Sequence, residues 1–265
     1  MNNIHPLATV HPGAKLGDGI EVGPYAFIDD NVEIGDGCKI LPHATIFPFV
    51  RMGRDCTVFP GAVVGAIPQD LKFEGEESYV EIGDRVNIRE CATINRGTRA
   101  SGKALTRVGS DTLIMSYAHI AHDCCIGNHC IIVSYAALAG ETDVDDWGII
   151  GGATIVHQFS HIGTHAMVGG GFKIVKDIPP YVLAGRDPIC FEGVNRVGLS
   201  RRGFSEEKIN EIKEIYDTLY FKGMNVSDAV AYIEQNLPRT EERDTIISFI
   251  RNSKRGIIPK LRPSR

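Results

Sequence analysis

The feature that most restricts what this chain can fold into is a ladder of aliphatic residues spaced six apart. It runs Ile4, Val10, Leu16, Val22, Ile28, Ile34, Ile40, Ile46, Met52, Val58, Val64, and resumes in the same phase at Ile82, Ile88 and Ile94. Shifted by two residues, it continues from Val108 in steps of six to Ile174, and none of its 26 rungs is polar. An amphipathic helix repeats its apolar face every ~3.6 residues and a coiled coil every ~3.5, so neither fits. Long strands are excluded too, because glycine follows rung after rung, as at Gly17, Gly53, Gly109 and Gly151. Short strands joined by tight corners, one per hexad, satisfy both facts, and such hexapeptide repeats predict a parallel β-helix.

The position four after each rung is small in most hexads, for example Ala26, Ala44, Ala118, Cys124, Ala136 and Thr142. One aliphatic and one small inward residue per hexad is what a narrow coil holds at native packing density. No hexad buries its own apolar face, so stability is a sum over stacked neighbours.

With 265 residues the chain is long enough for a large core and a second domain. A net charge of -5 argues against non-specific nucleic-acid binding. No apolar run reaches the ~18 residues of a membrane span. The start, Met1-Asn2-Asn3-Ile4, lacks a charged segment followed by an apolar one, so a cytoplasmic location is expected. Of seven cysteines, Cys38, Cys56, Cys124 and Cys130 fall in the small inward slot. None of the seven forms a C-x-x-C pair, and neither disulfides nor a metal site is expected.

The ladder breaks twice. Residues 66–79 would place Asp70 and Glu76 on rungs, which a dry core does not admit. They read as an excursion replacing part of a coil, and as a functional loop. Residues 96–107 form a second, basic excursion that reads as solvated surface. The ladder is expected to end at Pro179-Pro180, since proline cannot donate to a sheet. From Ser205, a helix cap, the period becomes helical. Helices are expected from Ser205 through Tyr220, from Asn225 to Gln235 and from Thr240 to Asn252. The domains are thus a β-helix over 1–187 and a connector with a helical domain over 188–265. Basic residues crowd the tail at Lys254, Arg255, Lys260, Arg262 and Arg265.

The chemistry centres on His119-Ile120-Ala121-His122-Asp123. An imidazole can act as general base near neutral pH. If a coil is three hexads, Gly140 stacks on His122, roughly 4.8 Å away. A glycine there leaves its N–H open to an oxyanion. Base plus oxyanion donor is the minimum for acyl transfer.

The hexads resemble those of the left-handed parallel β-helix acyltransferases, and from that resemblance come the left hand and a triangular section. His119-Ile-Ala-His122-Asp123, Leu138-Ala-Gly140, Ile150-Gly-Gly, Val156-His157-Gln158-Phe159, Pro179-Pro-Tyr, Arg201-Arg-Gly-Phe204 and Pro68-Gln69-Asp70-Leu71-Lys72 narrow it. Together they are similar to the acyl-[acyl-carrier-protein]–UDP-N-acetylglucosamine O-acyltransferases of lipid A biosynthesis, over nearly the whole chain. The resemblance implies transfer of a 3-hydroxyacyl chain from acyl carrier protein to the glucosamine 3-hydroxyl of UDP-N-acetylglucosamine. No cofactor is implied beyond the carrier's own phosphopantetheine. His122 would be the base, Gly140 the oxyanion donor and Asp123 the group that orients the imidazole. Asp123 can do so only if a corner falls between the two, because neighbours in a strand face opposite ways. Gln69, Asp70, Lys72, His119, His157, Gln158, Asn195, Arg201 and Arg202 would bind substrate. Met115, Gly170 and Pro188 would line the acyl groove, and the room left at Gly170 suggests a long chain.

His157 lies almost two coils past His122 and the 66–79 loop about three before it. One chain does not easily join them, and the family's homotrimer, with sites between subunits, answers this. Glu141 and Val197 depart from the histidine and the acidic residue expected there. Two other readings stand beside this one. One is an N-acyltransferase acting on a related aminosugar. The other is a metal hydratase like the γ-type carbonic anhydrases, which hold zinc on three histidines; His119 and His122 are three apart, not the five of that family.

Overall fold

The structure is a computed structural model describing residues 1–260. Three parallel sheets run the length of the repeat, with 11, 9 and 8 strands. Successive strands fall in the first, second and third sheet in turn, so the chain winds as a three-faced coil. The rungs stack in register: Ile120 pairs with Leu138 and Leu138 with Val156, 18 residues apart. The winding is that of the left-handed parallel β-helix. Every rung from Val22 onward is buried, and the small inward residues lie beside them. Corners take a left-handed residue, as at Tyr117, Asp123, His129 and Tyr135.

The two excursions differ from expectation. Neither replaces part of a coil. Val64 of the second sheet is followed directly by Ile82 of the third, and Val58 pairs with Ile88, 30 residues on. The first excursion is therefore inserted at one corner. The second is inserted at the same corner one coil later, so Ile94 pairs with Ile120. The ladder stays continuous because both strands flanking each insertion keep their partners.

Beyond the coil the first sheet does not stop at Pro179-Pro180. Val182–Gly185 adds in parallel to Met167–Val168, and Cys190–Val194 folds back antiparallel on it. The prolines sit before that strand, outside its ladder. A short helix not foreseen from the sequence, α1 (Arg196–Arg201), begins where Asn195 Oδ1 accepts the Gly198 N–H. Helices α2 (Glu206–Phe221), α3 (Val226–Asn236) and α4 (Glu241–Asn252) follow, capped by Ser205, Asn225 and Thr240 as their hydroxyl and amide side chains predict.

Helix α2 seats its apolar face on the end of the coil. Phe191 stacks on Tyr216 and Tyr220, with ring centroids 5.3 and 4.6 Å apart. Tyr216 Oη donates to the Pro180 carbonyl at 2.6 Å. The tail threads back: Ile258 N–H donates to the Asp177 carbonyl, and Arg255 Nε to that of Val175. Arg262 and Arg265 lie outside the described residues.

Tyr216 is fully buried, so Tyr216→Phe leaves the Pro180 carbonyl without its donor. An unsatisfied buried acceptor costs about 1–3 kcal/mol. The expected outcome in urea titration is a lower midpoint at unchanged slope.

Candidate active site

Both excursions and His122 occupy one edge of the prism, where the second sheet turns into the third. Counting from the paired rungs, Ala66, Arg96, His122, Gly140 and Gln158 follow one another up that edge, one per coil. The strand His119–Ile120 ends on its rung, and the next two residues enter the corner. His122 is therefore the last residue before the left-handed one, Asp123, at φ 60°. That turn brings two adjacent side chains together, which a straight strand forbids. His122 Nδ1 and Asp123 Oδ2 are 2.8 Å apart.

With Asp123 as the acceptor, the imidazole carries its proton on Nδ1, and Nε2 presents a lone pair. It faces Gly140, whose absent side chain defines the space. A Cβ there would stand 2.4 Å from both Nε2 and Cε1 of His122. Among the described residues no acceptor takes the Gly140 N–H, while its carbonyl accepts from Phe159 N–H. On the other side, Asp70 Oδ2 stands 3.7 Å from Nε2. His122 and Asp123 are buried, Asp123 completely.

Asp70 reaches His122 within one chain, contrary to the expectation that a partner is needed to join this loop to the base. Its corner is two coils away rather than three, and the loop folds along the prism edge. The second excursion supports it. Arg99 N–H donates to Glu76 Oε1 at 2.9 Å, and the Arg96 guanidinium packs over the rings of Phe49 and Phe73. Gln69 and Lys72 are exposed on the loop, and the Lys72 N–H binds Asp70 Oδ1.

The second excursion is no mere solvated surface. Thr98 is buried, and both its N–H and its hydroxyl bind the Asp123 carboxylate. Ser101 Oγ does the same, and Thr106 Oγ1 accepts the Asp123 N–H. Sequence reasoning missed these residues because the segment is basic. The overlooked signal is Gly97, where the chain crosses its own return strand. A Cβ there would come within 2.0 Å of Leu105 N.

His119 sits on the outer face of the second sheet, three residues before His122. Its Nδ1 is 2.7 Å from Thr93 Oγ1, and burial, then the neighbouring His122, lower its pKa. Gln158 is two coils above His122 on the same edge. His157 is exposed, its Nδ1 3.0 Å from the Gln158 carbonyl.

The remaining expected residues stand elsewhere. Arg202 lies at the edge between the third and first sheets, over the ring of Trp147 at 5.1 Å and beside His165 Nδ1 at 3.3 Å. Asn195 is buried, its Nδ2 on the His165 carbonyl and its Oδ1 capping α1. Both of its polar ends are bonded within the fold. Arg201 is exposed at the end of α1. Met115 and Gly170 occupy the edge between the first and second sheets, and Pro188 the turn of the closing hairpin. A Cβ on Gly170 would meet the Gly152 carbonyl oxygen at 2.9 Å.

A buried imidazole between a bonded carboxylate and an open amide, on a hexapeptide coil, is the setting of an acyltransferase. The bacterial transferase hexapeptide model matches residues 13–48 and 105–140, and that of UDP-N-acetylglucosamine O-acyltransferase domain 2 matches 177–258. An acyl-[acyl-carrier-protein]–UDP-N-acetylglucosamine O-acyltransferase of Thiobacillus denitrificans is 48% identical over 97% of this chain and 100% of its own. One from Pseudomonas putida is 48% identical over 97% and 99%. The crystal structure of a UDP-N-acetylglucosamine acyltransferase from Bacteroides fragilis superposes with a TM-score of 0.93 at 49% identity, covering 96% of this chain and 99% of that one. The Arabidopsis enzyme does so at 0.86 and 33%, covering 96% and 99%. The chain belongs to the acyl-[acyl-carrier-protein]–UDP-N-acetylglucosamine O-acyltransferase family. Among the described residues no helix is long and apolar enough to cross a membrane.

His165 gives a pH prediction. Burial, then the charge of Arg202, push its imidazole down to about 4, against 6.5 ordinarily. A histidine held neutral in the fold takes up protons more readily when unfolded. Its contribution is therefore present above pH 6.5 and is lost as pH falls toward 4. Urea midpoints measured across that window should fall, and His165→Gln should flatten the decline.

Proposed function

We propose that the chain transfers a (3R)-3-hydroxyacyl chain from acyl carrier protein to the glucosamine 3-hydroxyl of UDP-N-acetylglucosamine, the first step of lipid A biosynthesis. The observation that carries this reading is the setting of the His122 imidazole. Nδ1 is tied to a buried carboxylate, and Nε2 opens on a bare amide. In the reaction Nε2 takes the proton of the 3-hydroxyl as its oxygen attacks the thioester carbonyl. The developing oxyanion accepts the Gly140 N–H. The C–S bond then breaks, and the imidazolium returns its proton to the departing phosphopantetheine thiolate. Asp123 holds the tautomer and faces the imidazolium charge throughout. Asp70, beside Nε2, accepts a hydrogen bond from the acceptor sugar, with Gln69, Lys72 and His119 around it.

His157, Gln158, Arg201 and Arg202 complete the substrate site from a neighbouring copy in a homotrimer. Arg202 stands on a different edge from His122 in one chain, which supports this arrangement. So does an outward apolar stripe on the first sheet, formed by Leu113, Ile131, Ile149 and Met167. The acidic carrier docks on basic residues of the C-terminal domain, with an on-rate sensitive to salt. The carrier brings the only prosthetic group, and the enzyme needs no cofactor of its own. A cytoplasmic location agrees with seven cysteines that remain free. The acyl chain is long, running past Met115 and Gly170 toward Pro188.

The decisive experiment incubates the protein with UDP-N-acetylglucosamine and 3-hydroxyacyl carrier-protein thioesters of graded length, followed by mass analysis. The expected product is the mono-O-acylated sugar nucleotide, formed fastest from long chains. Loss of a general base lowers rate by ~10²–10⁴, so His122→Ala should lower kcat by at least about 100-fold. Unchanged turnover in that variant, or no ester product from the unaltered protein, would overturn the reading.

A further inference from the structure

Asp123 is fully buried, and His122 is only one of its partners. Thr98 spans both carboxylate oxygens, its N–H on Oδ1 at 2.9 Å and its hydroxyl on Oδ2 at 2.7 Å. Ser101 Oγ stands 2.7 Å from Oδ1. That hydroxyl accepts the Lys103 N–H at 3.0 Å, so its proton turns toward Asp123 Oδ1 or the Thr98 carbonyl, 2.9 Å away. All these donors come from the excursion that the solenoid does not need for its ladder.

The terminal torsion of an aspartate is broad and two-fold. Asp123 could keep its backbone place and still turn either oxygen, or neither, toward Nδ1. The clamp by Thr98 removes that freedom, because one residue holds both oxygens at once. Ser101 closes it from the side away from the imidazole. A carboxylate held this way presents one acceptor to His122 and so selects one tautomer.

We propose that Thr98 and Ser101 are positioning residues for acyl transfer, fixing the one rotation of the Asp123 carboxylate that keeps the proton on His122 Nδ1 and leaves Nε2 free. This rests on His122 being the base. Neither residue touches substrate; both act through Asp123.

The test compares Thr98→Val, Thr98→Ser, Ser101→Ala and His122→Asn in the full-length protein, with UDP-N-acetylglucosamine and a 3-hydroxyacyl carrier-protein thioester. Steady-state constants are measured beside the ¹⁵N spectrum of the histidine rings, which reads the tautomer directly. Thr98→Val should lower kcat about ten-fold, with KM for the sugar nucleotide within two-fold, and should mix the His122 tautomers. Thr98→Ser should restore both readouts. Ser101→Ala, on the rim of the clamp, should give a smaller loss of about three-fold with the same spectral sign, and it serves if Thr98→Val does not fold. An unmixed tautomer in folded Thr98→Val or Ser101→Ala overturns the proposal, as does an unchanged kcat while His122→Asn is inactive. Full turnover by His122→Asn instead removes the base reading, and the spectra alone then decide whether Thr98 positions the pair.

Discussion

The parallel backbone ladder that joins each coil to the next is what the rest of this molecule depends on. His119 N–H reaches the Ala136 carbonyl at 2.9 Å and Ala121 N–H that of Leu138 at 3.0 Å. The same spacing stacks aliphatic side chains inside and aligns corner residues outside. A one-residue slip in a strand sends every inward side chain to the opposite face. Register is therefore fixed by the core, and the position of the imidazole over the bare amide comes with it. No loop has to search for that geometry.

What the ladder does not supply is the polar surrounding of the His122 imidazole, and here the two insertions matter. One brings Asp70 toward Nε2, and the other binds the carboxylate on Nδ1. They also rest on each other through Glu76 and the Arg99 amide. The 2.8 Å contact to Asp123 and the 3.7 Å separation from Asp70 give the two carboxylates different parts. The first is bonded and fixed. The second stands beyond hydrogen-bond distance of the ring.

Much of this was legible in the sequence. The period of six fixes the coil, and simple counting of eighteen stacks Gly140 on His122, since no insertion intervenes between them. Capping side chains mark three of the helices. Counting fails across residues 66–107, because the pairing offset there is set by how much chain is extruded at a corner, and hydrophobic phase cannot report that length. Thr98 and Ser101 were illegible for a related reason. Their partner is 25 and 22 residues away across an irregular segment, and a basic composition suggested solvent. The closing hairpin after Pro180 hid behind a proline rule that governs a residue inside a ladder and says little about the strand that follows.

Extrusion at a single corner has an implication for how such a prism can be altered. Material added within a face displaces the phase of everything downstream. Material added where the second sheet meets the third leaves both neighbouring strands paired, as the offsets of 30 and 26 residues between stacked rungs demonstrate. That seam is the editable margin of the molecule, and it is also the one bearing the imidazole. New specificity can accumulate there by lengthening or rewriting loops, while the spine that aligns His122 with Gly140 stays untouched.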